Sequence, residues 1–349
     1  MIEPLKRALK RLPPLGRLIA ARDALVAERD ALLESQRSLA GEREALLLQR
    51  DTLRGCHAAL TSERDMLLQW AGPEPRYVPP GHYYSPIASI ADLRANSARL
   101  FAPFPRELPG IDLNEPGQLA LLSLLEGYYR DLPFGADPIG QLRYGLENPG
   151  YAWSDGIFLY AMIRHLAPKR IVEVGSGNSS CLMLDVNDLH FGGRLRCTFV
   201  EPEPARFLAL IRDTDRTAID IIAKPLQDVP LSHFTTLDAN DILFVDSSHV
   251  SKAGSDVNHL FAEILPRLRS GVHVHFHDVF FPFEYPPEWL YQGKAFNEAY
   301  VLRAFLAYNA AFEIVLFNTF LEHFHAQRFA ERMPLCLRNV GGSLWLRRR

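Results

Sequence analysis

Between residues 170 and 280 the side chains able to do chemistry recur in one place, at the ends of short apolar runs. The first run, Ile171, Val172 and Val174, contains Glu173 and opens onto a turn that holds Gly175 and Gly177. Two glycines so spaced let the backbone bend sharply and approach a ligand closely. A dinucleotide-binding loop would place a third glycine at position 180. Ser180 stands there instead, with Ser179 beside it. The second run ends in FVEPEP, where Glu201 can accept hydrogen bonds from both hydroxyls of a ribose. A third is followed by KPLQDV, which offers Asp228 to the edge of an adenine. The fourth and fifth end in FVDSSH and HFHD, and carry Asp246, His249, His277 and Asp278 to one crevice. A histidine titrating near ~6.5 suits a general base. We read His249 as that base, with hydrogen bonding at the following turn as the plainer alternative. Asp246 and Asp278 offer hard oxygen ligands for a divalent cation such as Mg2+. His273 and His275 share the face of His277 at a period of two, but lie inside the strand and read as packing groups.

An acidic ribose clamp serves both nicotinamide dinucleotides and S-adenosylmethionine. The glycine loop separates the two ligands. S-adenosylmethionine has no pyrophosphate to crowd position 180. Its methionyl arm carries an ammonium and a carboxylate, which suit Glu173 and a serine-rich turn containing Ser179. Its sulfonium already activates the methyl group, so a protein need only place a nucleophile in line and manage one proton.

Together EVGSGNSS, VEPEP, DILFVDSSHV and GVHVHFHDVFFPFEYP resemble a bacterial branch of the class I S-adenosylmethionine-dependent methyltransferases. The resemblance runs from GHYYSPI, near Gly81, to the C-terminus. It implies a Rossmann-like α/β fold whose seven-stranded sheet has helices on both faces and an antiparallel last strand. It also implies S-adenosyl-L-methionine as cofactor and O-methylation of a sugar, a glycan or another small hydroxylated metabolite. Some sugar O-methyltransferases hold magnesium on carboxylates at these strand ends, where this chain has His277 and Asp278. Two alternatives from other classes stay open. One is a nicotinamide-dependent oxidoreductase, which Ser180 disfavours; the other is a non-catalytic ligand-binding scaffold.

The elements that must position these residues follow from the pattern. Strands RIVEV, LRCTFVEP, AIDIIAK, DILFVDSS, GVHVHFHD and FEIVLFN are separated by helical segments, and GSLWLRR closes the chain. Such alternation predicts a parallel sheet covered on both faces, with ligands beyond the carboxyl ends of the strands. The loop FFPFEYPPEWLYQ reads as a substrate wall or a cover for the sheet edge, and Tyr83 and Tyr84 as candidates for the same mouth.

The first seventy residues are of another kind. Leu25, Leu32, Leu39, Leu46, Leu53, Leu60 and Leu67 recur every seventh residue, the signature of a helix that supercoils with a partner. The column three residues before each leucine is Arg22, Arg29, Gln36, Arg43, Arg50, His57 and Arg64. That column is poor core material, so the expectation is a weak or mixed coiled coil, with a solvated single helix as the alternative. The expected organisation is a basic segment at 1–20, a coiled-coil helix at 21–70, a proline-rich linker and helical lead-in at 71–150, and the methyltransferase domain at 151–349.

The net charge of -3 gives no reason to expect nucleic acid as a partner. Four cysteines without CxxC spacing argue against zinc or a disulfide framework and for the reducing cytoplasm. No run reaches the ~20 apolar residues of a membrane span. The basic start, MIEPLKRALKRLPPLGRLIA, is a frayed helix end or a weak foot on a membrane surface. The expected partners are a small-molecule or glycan acceptor and a second helix, in a homo-oligomer or from another protein.

Overall fold

The computed structural model describes residues 13–71, 77–102 and 104–349. The chain divides into two compact units, Met1–Tyr77 and Val78–Arg349.

The first unit is built on one helix, α1 (Pro13–Ala71). Its prolines fall in the first turn, where a missing N–H costs nothing. At 1.5 Å per residue it runs about 90 Å, longer than the heptads alone predict. The leucine stripe is bare: Leu25, Leu32, Leu39, Leu46, Leu53 and Leu60 are each 60–66 % exposed. The basic residues 1–12 and the side chain of Leu67 lie outside the described residues.

The second unit contains α2 (Glu115–Tyr129), α3 (Ser154–Leu166), β1 (Arg170–Val174), α4 (Asn178–Val186), β2 (Arg196–Val200) and β3 (Asp220–Ile222). It continues with β4 (Ile242–Val245), β5 (His273–Phe276), α5 (Glu298–Leu306), β6 (Phe312–Phe317), α6 (Asn318–Phe324) and β7 (Leu344–Arg348). The strands form one sheet in the order β3-β2-β1-β4-β5-β7-β6. Strands β1 to β5 pair in parallel, while β7 runs antiparallel to both β5 and β6. This is the Rossmann-like seven-stranded architecture expected from the sequence. Strand β4, ILFV, is buried at every position, as parallel strands covered on both faces must be. Helix α3 is apolar on all sides and buried along most of its length, packed on α2 and α4.

The lead-in is not separate from the sheet. Helix α2 packs on α3 and β6 and buries Leu122 and Leu125. Gln118 ties it down, donating to the Leu113 carbonyl and accepting from the Phe317 N–H, both at 2.7 Å. The second compact unit therefore begins at Val78, not at 151.

Candidate active site

Strand β1 lies between β2 and β4, so the chain leaves the sheet in opposite directions on its two sides and a crevice opens beyond the strand ends. Gly175 turns there with φ +92°. A side chain at this position would collide with the Asp246 carbonyl, so only glycine lets the ends of β1 and β4 come this close. Ser180 explains the missing third glycine. Its hydroxyl accepts the Gly177 N–H at 2.9 Å and donates to Glu173 at 2.6 Å. Ser179 donates to the other Glu173 oxygen at 2.5 Å. Glu173 is thus fully buried with both oxygens engaged, and burial pushes it up to about 8 against the pull of the two serines. It holds the turn together and is not presented to a ligand, contrary to the ammonium-binding role expected for Glu173 and Ser179.

The crevice holds a cavity of about 400 Å³ walled by Gly175, Glu201, Gln227, Asp246, Ser247 and Ser248. Glu201, half-buried at the end of β2, accepts from Ser176 at 3.3 Å and from the Glu203 N–H at 2.9 Å. Asp228 does not reach this wall. It is exposed, and its neighbour Gln227, anchored to the Gly254 carbonyl, lines the wall instead.

One wall of the cavity leads into a charged cluster. His249 Nε2 lies 3.3 Å from Asp246 and 3.5 Å from Asp278, while Nδ1 meets Glu298 at 2.9 Å. Ser247 donates to the second Glu298 oxygen at 3.0 Å, and the His249 carbonyl accepts the Asn297 and Glu298 N–H groups. His249 and Asp278 both adopt positive φ, +58° and +56°. Non-glycine residues in that region carry strain that only surrounding contacts can hold. Burial alone would lower His249, but its hydrogen bonds to Asp246 and Glu298 push it up to about 10. Burial would raise Asp246, yet His277, His249 and Arg206 more than offset it and hold the carboxylate below its ordinary range. Burial pushes Glu298 up and the imidazolium draws it partly back. His277, 3.4 Å from Asp278, is raised by Asp278, Asp246 and Asp155 in spite of its burial. Deeper in the same strand, burial lowers His273 to about 4 and pushes His275 well down, which leaves them neutral packing groups. His275 and His277 both pack on the ring of Tyr151.

Residues 172–279, the stretch from β1 to the end of β5, match the family model of a methyltransferase domain. An uncharacterized protein of Archaeoglobus fulgidus is 36 % identical over 167 residues, 47 % of this chain and 75 % of that one. The chain belongs to this methyltransferase family. Among solved structures, it is similar to an S-adenosylhomocysteine-bound methyltransferase of Podospora anserina, at 15 % identity over 79 % of this chain and 100 % of that one, TM-score 0.36. It is also similar to the O-methyltransferase TomG of Streptomyces achromogenes in complex with SAM, at 15 % identity over 74 % and 96 % of the two chains, TM-score 0.35.

The cluster of this methyltransferase differs from the cation site expected from the sequence. Asp246 and Asp278 do converge, but the His249 ring stands between them, where a cation would have to lie. Among the described residues no group of three His, Cys, Asp or Glu side chains is placed to hold a metal ion. The residues as arranged do not fit a divalent cation. Two members of the cluster escaped the sequence. Glu298 reads as an ordinary acid in the first turn of α5. Asp155, at the start of α3, is buried and accepts from Ser343 at 2.5 Å and from the Gly342 N–H at 3.0 Å. Both come from outside the strand-end motifs, and no local pattern marks them.

Proposed function

We propose that the methyltransferase takes its methyl group from S-adenosylmethionine and places it on an oxygen of a small hydroxylated acceptor, with sugars and glycans among the candidates. When bound, S-adenosylmethionine supplies a methyl group already activated by its sulfonium. The observation that carries this reading is the polar cavity beside the Gly175 turn, with Glu201 and Asp246 in its wall. In this reading Glu201 accepts from the ribose hydroxyls, and Gln227, Ser247 and Ser248 in the same wall offer further polar contacts. The loop argues against a dinucleotide, because Ser180 already satisfies the Gly177 N–H that a pyrophosphate would need.

The chain's own part in the reaction is to hold the acceptor hydroxyl and take its proton. His249, pushed up to about 10, keeps its own proton at neutral pH, so it is not the free base expected from the sequence. Asp246 and Asp278 are half-buried carboxylates facing the same ring, and one of them takes the proton as the new C–O bond forms. The imidazolium fixes both carboxylates, and Glu298 fixes the imidazolium. His277, raised by Asp278, Asp246 and Asp155 in spite of its burial, lies behind Asp278 at 3.4 Å.

The bare leucine stripe of α1 supports self-association through this helix. Cys181, Cys197 and Cys336 are buried as free thiols, which suits a reducing cytoplasm. Among the described residues no helix is long and apolar enough to cross a membrane.

Calorimetry with S-adenosylhomocysteine and NAD, run side by side on the full chain, tests the cofactor. Binding of S-adenosylhomocysteine alone is expected. Micromolar NAD affinity with no S-adenosylhomocysteine binding would turn the assignment towards an oxidoreductase.

A further inference from the structure

A second cavity, of about 440 Å³, opens beyond the end of β5. Its wall is mostly apolar, with Phe101, Phe104, Phe280, Phe281, Tyr285 and Pro286 contributing to it, and Glu284, Thr319, Glu322 and His323 are its polar members. It adjoins the charged cluster. Phe280 follows Asp278 by two residues on the same loop, and a side chain at Gly342 would meet both of them. From His249 a run of aromatic rings leads to the cavity. The His249 ring centroid is 5.1 Å from Phe296, Phe296 is 5.9 Å from Trp289, and Trp289 is 5.4 Å from Phe280. The polar cavity touches the cluster through Asp246, and the apolar cavity adjoins it through Phe280 and Tyr285.

One of the polar groups in this wall is buried with an oxygen unpaired. Glu322, on α6, is 4 % exposed and lines the cavity. Its Oε1 accepts from Ser154 at 2.5 Å, while its Oε2 is buried with no hydrogen-bond partner among the described residues. Burial pushes this carboxyl well above its ordinary range, against the pull of the Ser154 hydrogen bond. A buried carboxyl oxygen without a partner costs stability unless something else supplies the hydrogen bond. A sugar, by contrast, would set hydroxyls on every side against a wall whose larger part is phenyl rings and prolines.

Resting on the methyltransferase reading above, we propose that the apolar cavity binds the acceptor, and that the acceptor is a neutral aromatic molecule bearing hydroxyl groups. Its rings lie against Phe280, Phe281 and Tyr285. One hydroxyl is presented to the Asp246–His249–Asp278 cluster, and a second polar group meets Glu322 Oε2. The volume is within the range of small-molecule sites, as is the pattern of an apolar wall with few polar groups.

Resveratrol is a suitable probe, being fluorescent, flat and hydroxylated on both rings. Its binding to the full chain is measured by fluorescence titration, with S-adenosylhomocysteine binding measured by calorimetry on the same samples. Val340 is half-exposed at the cavity, so Val340→Trp should block the site without disturbing the fold, and resveratrol binding should be lost. Glu322→Leu should weaken resveratrol about tenfold, the size of one buried hydrogen bond, and Glu322→Gln should restore most of it. Methyl glucoside should neither bind nor displace the probe. Absent resveratrol binding, affinity unchanged in both Val340→Trp and Glu322→Leu, or displacement by methyl glucoside would each overturn the inference. If S-adenosylhomocysteine still binds in those cases, only the acceptor assignment fails; if it does not bind even to the wild type, the cofactor assignment fails as well.

Discussion

The two cavities flanking the charged cluster are close in size, about 400 and 440 Å³, but one is lined largely by aromatic rings and the other carries more polar and charged groups. The polar one is walled mainly by turns that directly follow β1, β2, β3 and β4, with Lys252, Gly254, Ser255 and Asp256 added from further along the loop after β4. The apolar one draws Phe101 from a short helix near residue 100, Phe280 to Pro287 from the loop after β5, Glu322 from α6 and Val340 from the approach to β7. Strand ends in a parallel sheet are fixed by the ladder, which makes them suitable for groups that must be held in register. A wall assembled from four distant segments varies without disturbing that ladder, and this is where acceptor specificity can differ between proteins of one fold.

The largest test of this division is at the cluster itself. His249 is buried among Asp246, Asp278 and Glu298, so His249→Ala leaves a buried acid without its partner. Loss of one member of a buried ion pair costs about 3–5 kcal/mol, and the denaturant midpoint should fall accordingly. Turnover should drop by ~10²–10⁴-fold as the proton-accepting carboxylates lose their fixed geometry. A variant with wild-type stability and turnover would mean that the cluster joins nothing.

Glu201→Ala addresses the polar cavity alone. It should weaken S-adenosylhomocysteine by about 1.5–3 kcal/mol, typical of hydrogen bonds to a charged group, and leave resveratrol unchanged. A change in both ligands, read by calorimetry, would show that the cavities are not separate.

The pH dependence sharpens the role of His249. Its pKa is raised on folding to about 10, so its contribution to stability is complete below the unfolded value near ~6.5 and is lost as pH rises through 10. Unfolding free energies of the wild type should therefore fall between these limits relative to His249→Gln. Turnover should show no histidine step between about pH 6 and 9; a rise centred near ~6.5 would restore His249 as the free base.

The smallest effect on either ligand should come from α1. A chain beginning at Tyr77 should bind S-adenosylhomocysteine and resveratrol as the full chain does, yet form a smaller assembly by light scattering. Equal assembly sizes would remove the self-association proposed for the leucine stripe.

The sheet was legible because its strands are short apolar runs that end in polar turns, a pattern set by local spacing. Gly175, Glu201 and Asp246 could be placed at the crevice for the same reason. The roles of Glu173 and His249 could not, because a carboxyl and an imidazole are defined by what surrounds them. Glu173 looked free until Ser179 and Ser180 closed on it, and His249 looked like a base until three acids met it. One of those acids, Glu298, lies 49 residues further along the chain. By itself the sequence determined the order of strands and helices, the glycine turn and the leucine repeat, since each depends on residues near one another in the chain. Only the tertiary structure decided which carboxyls face a cavity, which are buried with partners, and which, like Glu322 Oε2, have none among the described residues. Charge state and access to a ligand depend on burial and on groups distant in sequence, and neither can be read from spacing.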